Sequence, residues 1–152
     1  MSSSEENTDR VTIEGRDGAF GAYISRPKTL PAPGKVAVRG YCLGGLITSL
    51  TAARYGADAA VVYNGGDTEK YLGEVNGLNA PLVMHLAEGD EFISKTAQAE
   101  IKTALARKSK ATVYSYPGQH HAFARHNGMH YNAAAAALAN GRTSEFLHQQ
   151  LR

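Results

Sequence analysis

The sequence predicts an α/β fold in which a mostly parallel sheet is covered by helices on both faces. Three observations predict it: short apolar runs recur between helix-length segments, a glycine-flanked turn follows the first run, and polar residues follow the later ones. Continuous apolar strands are typical of parallel sheets buried on both faces, and the intervening helices supply the crossover connections. The predicted strands are 36–38, 59–63, 81–86 and 112–116, and the predicted intervening helices are 43–55 and 94–108.

The N-terminal region is predicted to be a β-hairpin. Residues 11–13 and 19–25 alternate in polarity across a turn that contains Gly15, Asp17 and Gly18, which favours two antiparallel strands. A linker with three prolines, 26–35, follows the hairpin.

The C-terminal region is rich in alanine and predicts helix over 131–140 and again over 142–151, with a break at Gly141. The predicted domain organisation is a disordered polar tail, 1–10, followed by a single domain, 11–152.

Composition excludes several classes of function. The 152 residues include 16 Lys+Arg and 14 Asp+Glu, a net charge of +2 with interspersed signs, which gives little support to nucleic-acid binding. No apolar run approaches the roughly 20 residues of a membrane helix. The polar N-terminus does not resemble a signal peptide, and the one cysteine, Cys42, excludes an internal disulfide, so we expect a cytoplasmic protein. The expected partner is a small molecule, with no nucleic acid and no membrane.

A nucleophile-type residue stands in the turn after the first strand. Residues 40–45 read GYCLGG, so Cys42 has a glycine two residues before it and another two residues after it. This spacing is typical of a nucleophile elbow, a strained strand-to-helix turn that exposes its central side chain. At a helix N-terminus the free N–H groups favour the thiolate. The alternatives are a buried structural cysteine and a phosphate-binding loop, which would need an arginine where Thr48 stands.

A thiol nucleophile needs a base, and the base needs a carboxylate that orients it. Asp90 follows the strand 81–86, and His120 and His121 follow the strand 112–116. The carboxyl ends of parallel strands meet at one edge of the sheet, where α/β proteins bind ligands. We therefore expect these side chains to lie near Cys42, although an Asp after Gly is also common simply as a turn residue.

Three segments, 40–45 (GYCLGG), 86–90 (LAEGD) and 121–125 (HAFAR), resemble the dienelactone hydrolase family of α/β-hydrolases. The resemblance extends over about 35–151, with 11–27 similar to the family's opening hairpin. It implies a three-layer α/β-hydrolase-like fold, with a mostly parallel sheet between two layers of helices, in a version shorter than that of the family.

The resemblance also implies functions for particular residues. It implies a triad of Cys42, Asp90 and His121; His121 is favoured over His120 because it directly precedes a small residue and Phe, as the family's histidine does. By the same resemblance Arg125 binds a substrate carboxylate, although a solvated loop arginine is the alternative, and Tyr63 forms a pocket wall. Leu43, the residue after the nucleophile, supplies one backbone N–H to the oxyanion.

The histidines also suggest a metal-binding alternative. His126 and His130 have the i, i+4 spacing of ligands on a helix face, but no Glu lies between them and only His121 offers a third ligand. We therefore predict neither a metal site nor a cofactor. His85 and His148 are interpreted as a strand-end residue and a surface residue.

The sequence departs from the family between the hairpin and the elbow strand. Family members have two further strand–helix units there, on the order of sixty residues, which supply a second oxyanion donor and a Glu that interacts with the cysteine. Their absence leaves the elbow strand with an exposed edge, which predicts either coverage by strand 19–25 or a homodimer. The predicted function is hydrolysis of a carboxylate-bearing ester or lactone through a thioester. The alternative is a weakly active or inactive domain that acts as a binding or oligomerisation module.

Overall fold

The computed structural model describes residues 7–15, 18–26 and 34–152. The chain divides into two units, Met1–Gly34 and Lys35–Arg152. Among the described residues, none of the helices has the length and apolar character needed to span a bilayer.

The first unit contains an antiparallel hairpin of β1 (Asn7–Gly15) and β2 (Gly18–Arg26). This confirms the predicted hairpin and lengthens both strands; β1 begins inside the segment predicted as a polar tail. Residues 1–6 and most of the predicted linker, 27–33, lie outside the described residues. The single domain over 11–152 and the covering of the elbow strand by the hairpin stay predictions.

The second unit contains a four-stranded parallel sheet in the order β3-β4-β5-β6. Its strands are β3 (Ala37–Tyr41), β4 (Ala59–Tyr63), β5 (Leu82–Ala87) and β6 (Ala111–Tyr116), close to the predicted ranges. Every residue of β4 and β5 is buried, whereas β3 lies at an edge of this sheet and is only partly buried. The elbow strand therefore has one partner strand among the described residues.

Helices cover both faces of the sheet, as predicted. On one face, the apolar side chains of α1 (Leu43–Arg54) and α2 (Lys95–Ala106) pack with those of β4 and β5. On the other face, α3 (Ala133–Gln150) packs against the alternate residues of these strands. A 3-10 segment, Thr68–Gly77, kinks at Tyr71 and was not predicted. The sheet is thus packed on both faces, and because its four strands are parallel, their carboxyl ends lie along one edge of it.

The predicted break at Gly141 is wrong, because α3 continues through it. A Cβ built on Gly141 would meet nothing within 4 Å, so this position is at the solvent side of the helix. The buried neighbours Ala136, Ala139 and Thr143 share the opposite face and hold the helix on the sheet. This packing offsets the cost of roughly 1 kcal/mol that glycine adds inside a helix.

Candidate active site

Cys42 stands alone between β3 and α1 in a strained backbone conformation. Its φ of 53° and ψ of −122° lie in a region that non-glycine residues rarely adopt. Two sets of backbone hydrogen bonds hold it there: its N–H donates to the Tyr63 carbonyl at 2.9 Å, and its own carbonyl accepts from Gly45 N at 2.9 Å. The thiol-bearing residue is solvent-exposed. This is the geometry of a nucleophile elbow.

The glycines around the elbow differ in how tightly their surroundings are packed. A Cβ on Gly40 would collide with the carbonyl of Gly44, so this glycine lets the strand approach the helix. A Cβ on Gly44 would meet nothing within 4 Å, so close packing does not require glycine two residues after Cys42. Gly45 is the tight position, because its Cβ would lie 2.9 Å from the Gly65 Cα and 3.0 Å from a Val62 methyl.

Asp90 and His121 follow β5 and β6, and their side chains are hydrogen-bonded to each other. The His121 Nδ1–H donates to both carboxylate oxygens of Asp90, at 2.8 Å and 3.0 Å. The Asp90 side chain is fully buried and that of His121 is 12% exposed. Because Nδ1 donates to the carboxylate, Nε2 is left to accept a proton.

Two neighbouring contacts fix this pair. Phe92 N donates to Asp90 Oδ1 at 2.9 Å, and the Phe92 ring meets the His121 ring edge-on at 4.8 Å between centroids. Gly89 N donates to the Gln119 carbonyl at 2.7 Å, which joins the loop after β5 to the loop after β6. The acid and the base are therefore held by the backbone of two adjacent loops.

One cavity of about 620 Å³ brings most of the predicted site residues together. Cys42, Tyr63, His121 and Arg125 line it, and Asp90 lies behind His121. Leu43 is the first residue of α1, so its N–H is one of those without an acceptor inside the helix. The full lining is Tyr41, Cys42, Tyr63, Asn64, Phe92, His121, Ala122, Ala124 and Arg125.

The sequence profile of the dienelactone hydrolase family matches residues 4–151. The chain belongs to the dienelactone hydrolase family. It is 40% identical over 109 residues to an Azospirillum brasilense protein provisionally named a carboxymethylenebutenolidase, covering 72% of this chain and 47% of that one. It is 38% identical over 114 residues to the carboxymethylenebutenolidase of Pseudomonas putida, covering 75% and 48%.

A solved structure supports the fold of this dienelactone hydrolase family member. The dienelactone hydrolase-like promiscuous phosphotriesterase from metagenomic libraries matches with a TM-score of 0.70 and 18% identity, covering 84% of this chain and 56% of that one. The chain spans about half the length of the curated relatives that it matches. Between β2 and β3 only residues 27–36 are present, too few for the strand–helix units that the family resemblance places there.

Two pocket residues of this family member lie outside the three segments that resemble the family, and the sequence analysis missed them. Asn64 directly follows β4 with a φ of 45°, and its Oδ1 accepts from Ala87 N at 2.9 Å, so it fixes the ends of two strands against each other. Phe92 is 72% exposed, and its ring contacts the His121 ring edge-on. Asn64 could have been found from the sequence, because it stands between a predicted buried strand and two glycines. No sequence pattern indicates Phe92.

Tyr63 contributes its ring, rather than its hydroxyl, to the cavity. The hydroxyl lies 2.8 Å from Thr143 Oγ1 and 2.9 Å from Asn140 Oδ1, both on α3. Burial raises the pKa of Tyr63 above its ordinary value. This residue is therefore a neutral wall whose position depends on α3.

His85 is not the strand-end residue that the sequence suggested, because it is fully buried inside β5. Its Nδ1 lies 2.8 Å from the Tyr116 hydroxyl and its Nε2 lies 2.9 Å from Thr143 Oγ1. Burial, together with the positive charges of Arg142 and Arg39, lowers the pKa of His85 to about 3. It is a neutral structural histidine between the sheet and α3. His148, by contrast, is exposed as predicted.

The spacing of His126 and His130 does not produce a pair on a helix face, because α3 begins only at Ala133. The His126 ring instead lies 5.3 Å from the Tyr131 ring. His130 approaches Glu91 and His120.

Proposed function

We propose that this protein hydrolyses esters or lactones with Cys42 as the nucleophile, His121 as the base and Asp90 as the residue that orients it. The observation that carries the proposal is that Cys42 and His121 line one cavity, with His121 held by the buried carboxylate of Asp90. The names of the curated relatives support the same reaction class.

The proposed reaction has two steps. Cys42 gives its thiol proton to His121 Nε2, and its sulfur attacks the substrate carbonyl while the Leu43 N–H stabilises the developing oxyanion. The carbon–oxygen bond of the ester then breaks, and the alcohol oxygen takes that proton from His121. The enzyme is then a thioester at Cys42. A water molecule gives its proton to His121 Nε2 and attacks the thioester, which releases the carboxylic acid and restores the thiol.

The position of Arg125 supports the proposal that the substrate bears a carboxylate. It lies on an exposed loop, lines the cavity, and forms no ion pair with any residue in 34–152. A guanidinium is a bidentate donor to carboxylates. We therefore propose a dienelactone-like substrate whose carboxylate pairs with Arg125 while its ring carbonyl approaches Cys42.

The test compares hydrolysis of p-nitrophenyl acetate and a dienelactone by the unaltered chain and by Cys42→Ala. We expect turnover of both esters by the unaltered chain and loss of both in Cys42→Ala, with equal thermal stability of the two proteins. Arg125→Gln should raise KM for the dienelactone and leave KM for p-nitrophenyl acetate unchanged. Turnover that survives Cys42→Ala would refute the mechanism.

A second candidate function is a binding or oligomerisation module, favoured by the exposed surface beside the elbow. Val36, Tyr41, Leu43 and Ile47 are 54%, 49%, 65% and 53% exposed, and β3 has one partner strand among the described residues. An edge strand beside apolar side chains favours pairing with another chain. We propose a homodimer through this surface; light scattering that finds only monomer at high concentration would contradict it. Absence of ester turnover together with a stable dimer would favour the binding or oligomerisation module. The cytoplasmic location stays a prediction.

A further inference from the structure

Three side chains next to the acid–base pair converge on one point. Glu91 follows Asp90, His120 precedes His121, and His130 returns from the following loop. One nitrogen or oxygen atom from each of the three lies within 4.8 Å of the other two. Glu91 Oε1 is 2.6 Å from His120 Nδ1 and 3.8 Å from His130 Nδ1.

The backbone of the loop after β6 brings His130 back to His120. Successive turns are closed by Gly128 N donating to the Arg125 carbonyl at 2.9 Å and by Tyr131 N donating to the Gly128 carbonyl at 3.1 Å. Asn132 N then donates to the Phe123 carbonyl at 3.0 Å, which fixes the end of the loop. The two imidazole rings are held with their centroids 5.1 Å apart.

The carboxylate of Glu91 is oriented by its neighbours. Oε2 accepts a hydrogen bond from the His121 N–H at 3.2 Å, and Oε1 lies 2.6 Å from His120 Nδ1. A carboxylate beside two imidazoles is a ligand set for zinc-type cations, which take His nitrogen at about 2.0–2.1 Å and carboxylate oxygen at about 2.0–2.2 Å.

We infer that Glu91, His120 and His130 form a binding site for a divalent first-row transition-metal ion of the zinc type. Tetrahedral ligands at these bond lengths lie roughly 3.3–3.5 Å apart, so the side chains need to move by about an ångström. All three are exposed and have room for that movement. The metal takes the place of the proton that His120 Nδ1 shares with Glu91, and the ring keeps a proton on Nε2. The displaced proton passes to solvent from an imidazolium, or moves to Nε2 in a neutral ring.

Two of the three proposed ligands also line a second cavity. This cavity, of about 370 Å³, is lined by Glu91 and His130 and also by Phe92, His121 and Arg125 of the proposed active site. Three protein ligands with one open position are typical of zinc sites that bind water or a small anion. The bound ion would tie the loop that carries Asp90 to the loop that carries His121.

The direct test is Zn²⁺ titration by isothermal calorimetry of the tag-free chain carrying Cys42→Ala, which removes the thiol as a competing ligand. We expect one saturable site per chain, weakened about tenfold or more in His130→Ala, His120→Ala and Glu91→Gln. His126→Ala and His148→Ala are the matched controls, because both histidines are exposed and outside the cluster. Binding that is lost equally in the controls, or no saturable binding, would overturn the inference.

A second measurement detects the bound ion through its local effect on the backbone. Amide hydrogen exchange of residues 120–131 should slow when Zn²⁺ is added to the unaltered chain and should not respond in His130→Ala. Mg²⁺ should give neither heat nor protection, because it prefers all-oxygen ligands. Protection by Zn²⁺ that persists in His130→Ala would contradict the site.

Discussion

The two sides of the candidate active site are built differently. On the acid–base side, Asp90 and His121 follow β5 and β6, and the Asp90 carboxylate is fully buried with three hydrogen bonds. On the nucleophile side, Cys42 is exposed and follows the edge strand β3. The acid–base geometry is therefore determined locally by two adjacent loops. The proposed nucleophile, by contrast, lies at an exposed edge of the described sheet.

The largest expected effect comes from Asp90→Asn, which tests whether the buried carboxylate orients His121. An amide cannot hold the same tautomer, and the equivalent change in a serine protease lowers kcat by about 10⁴. We expect a loss of similar order in p-nitrophenyl acetate hydrolysis, measured at substrate saturation. Asp67→Asn is the matched control, because Asp67 is exposed and, within the part of the chain that the structure describes, pairs only with Lys70. Equal activity of the two variants would show that the pair is structural.

The next effect is on stability and compares the two sides directly. Phe123 is fully buried and lies 4.8 Å from the Tyr116 ring, so Phe123→Ala should lower the free energy of unfolding by about 3–5 kcal/mol. In a monomer, Ile47→Ala on the exposed face of α1 should change it by no more than about 0.5 kcal/mol, whereas in the proposed homodimer the loss should be larger and should depend on protein concentration. Urea unfolding of both variants at two protein concentrations measures this. A large, concentration-dependent loss in Ile47→Ala would show that a second chain covers that face.

The acid–base side also carries a pH dependence through His85. Its pKa falls from 6.5 in the unfolded chain to about 3 in the folded protein. The unfolded chain therefore binds more protons between these values, and the free energy of unfolding falls as the pH falls, by up to roughly 1.4 kcal/mol per pH unit. His85→Gln, which keeps a donor and an acceptor for Tyr116 and Thr143, should flatten the slope.

The contribution of His85 to the free energy of unfolding is best measured between pH 6.5 and 4.5. The pKa of Glu91 is lowered from 4.5 to about 2, so its contribution is present above pH 4.5 and is lost only as the pH falls below that value. Urea unfolding at several pH values within the window therefore reports mainly on His85. His148→Gln on the exposed face of α3 should leave the slope unchanged. An unchanged slope in His85→Gln would mean that His85 titrates normally when folded.

Local patterns predicted much of the fold and site, and long-range packing accounts for what they missed. The elbow, the strands and the positions of Asp90 and His121 each depend on a few neighbouring residues, so sequence spacing was sufficient. The burial of His85 depends on Thr143, 58 residues away. The meeting of Glu91 with His130 depends on a loop of consecutive turns. No pattern in the sequence indicates either contact.

The smallest expected effects are at the two glycines of the elbow, which test how tightly the nucleophile side is packed. In Gly45→Ala the new methyl group meets the Gly65 Cα, a Val62 methyl group and the Tyr63 carbonyl. We expect a loss of about 1–3 kcal/mol, because the Gly65 and Tyr63 atoms belong to the backbone and cannot move away cheaply. In Gly44→Ala the methyl group meets open space, and we expect a gain of roughly 0.4–1 kcal/mol from the reduced freedom of the unfolded chain. Urea unfolding of both variants measures whether each change lowers or raises the free energy of unfolding. A loss in Gly44→Ala would mean that something covers the start of α1, and the nucleophile side would then be as enclosed as the acid–base side.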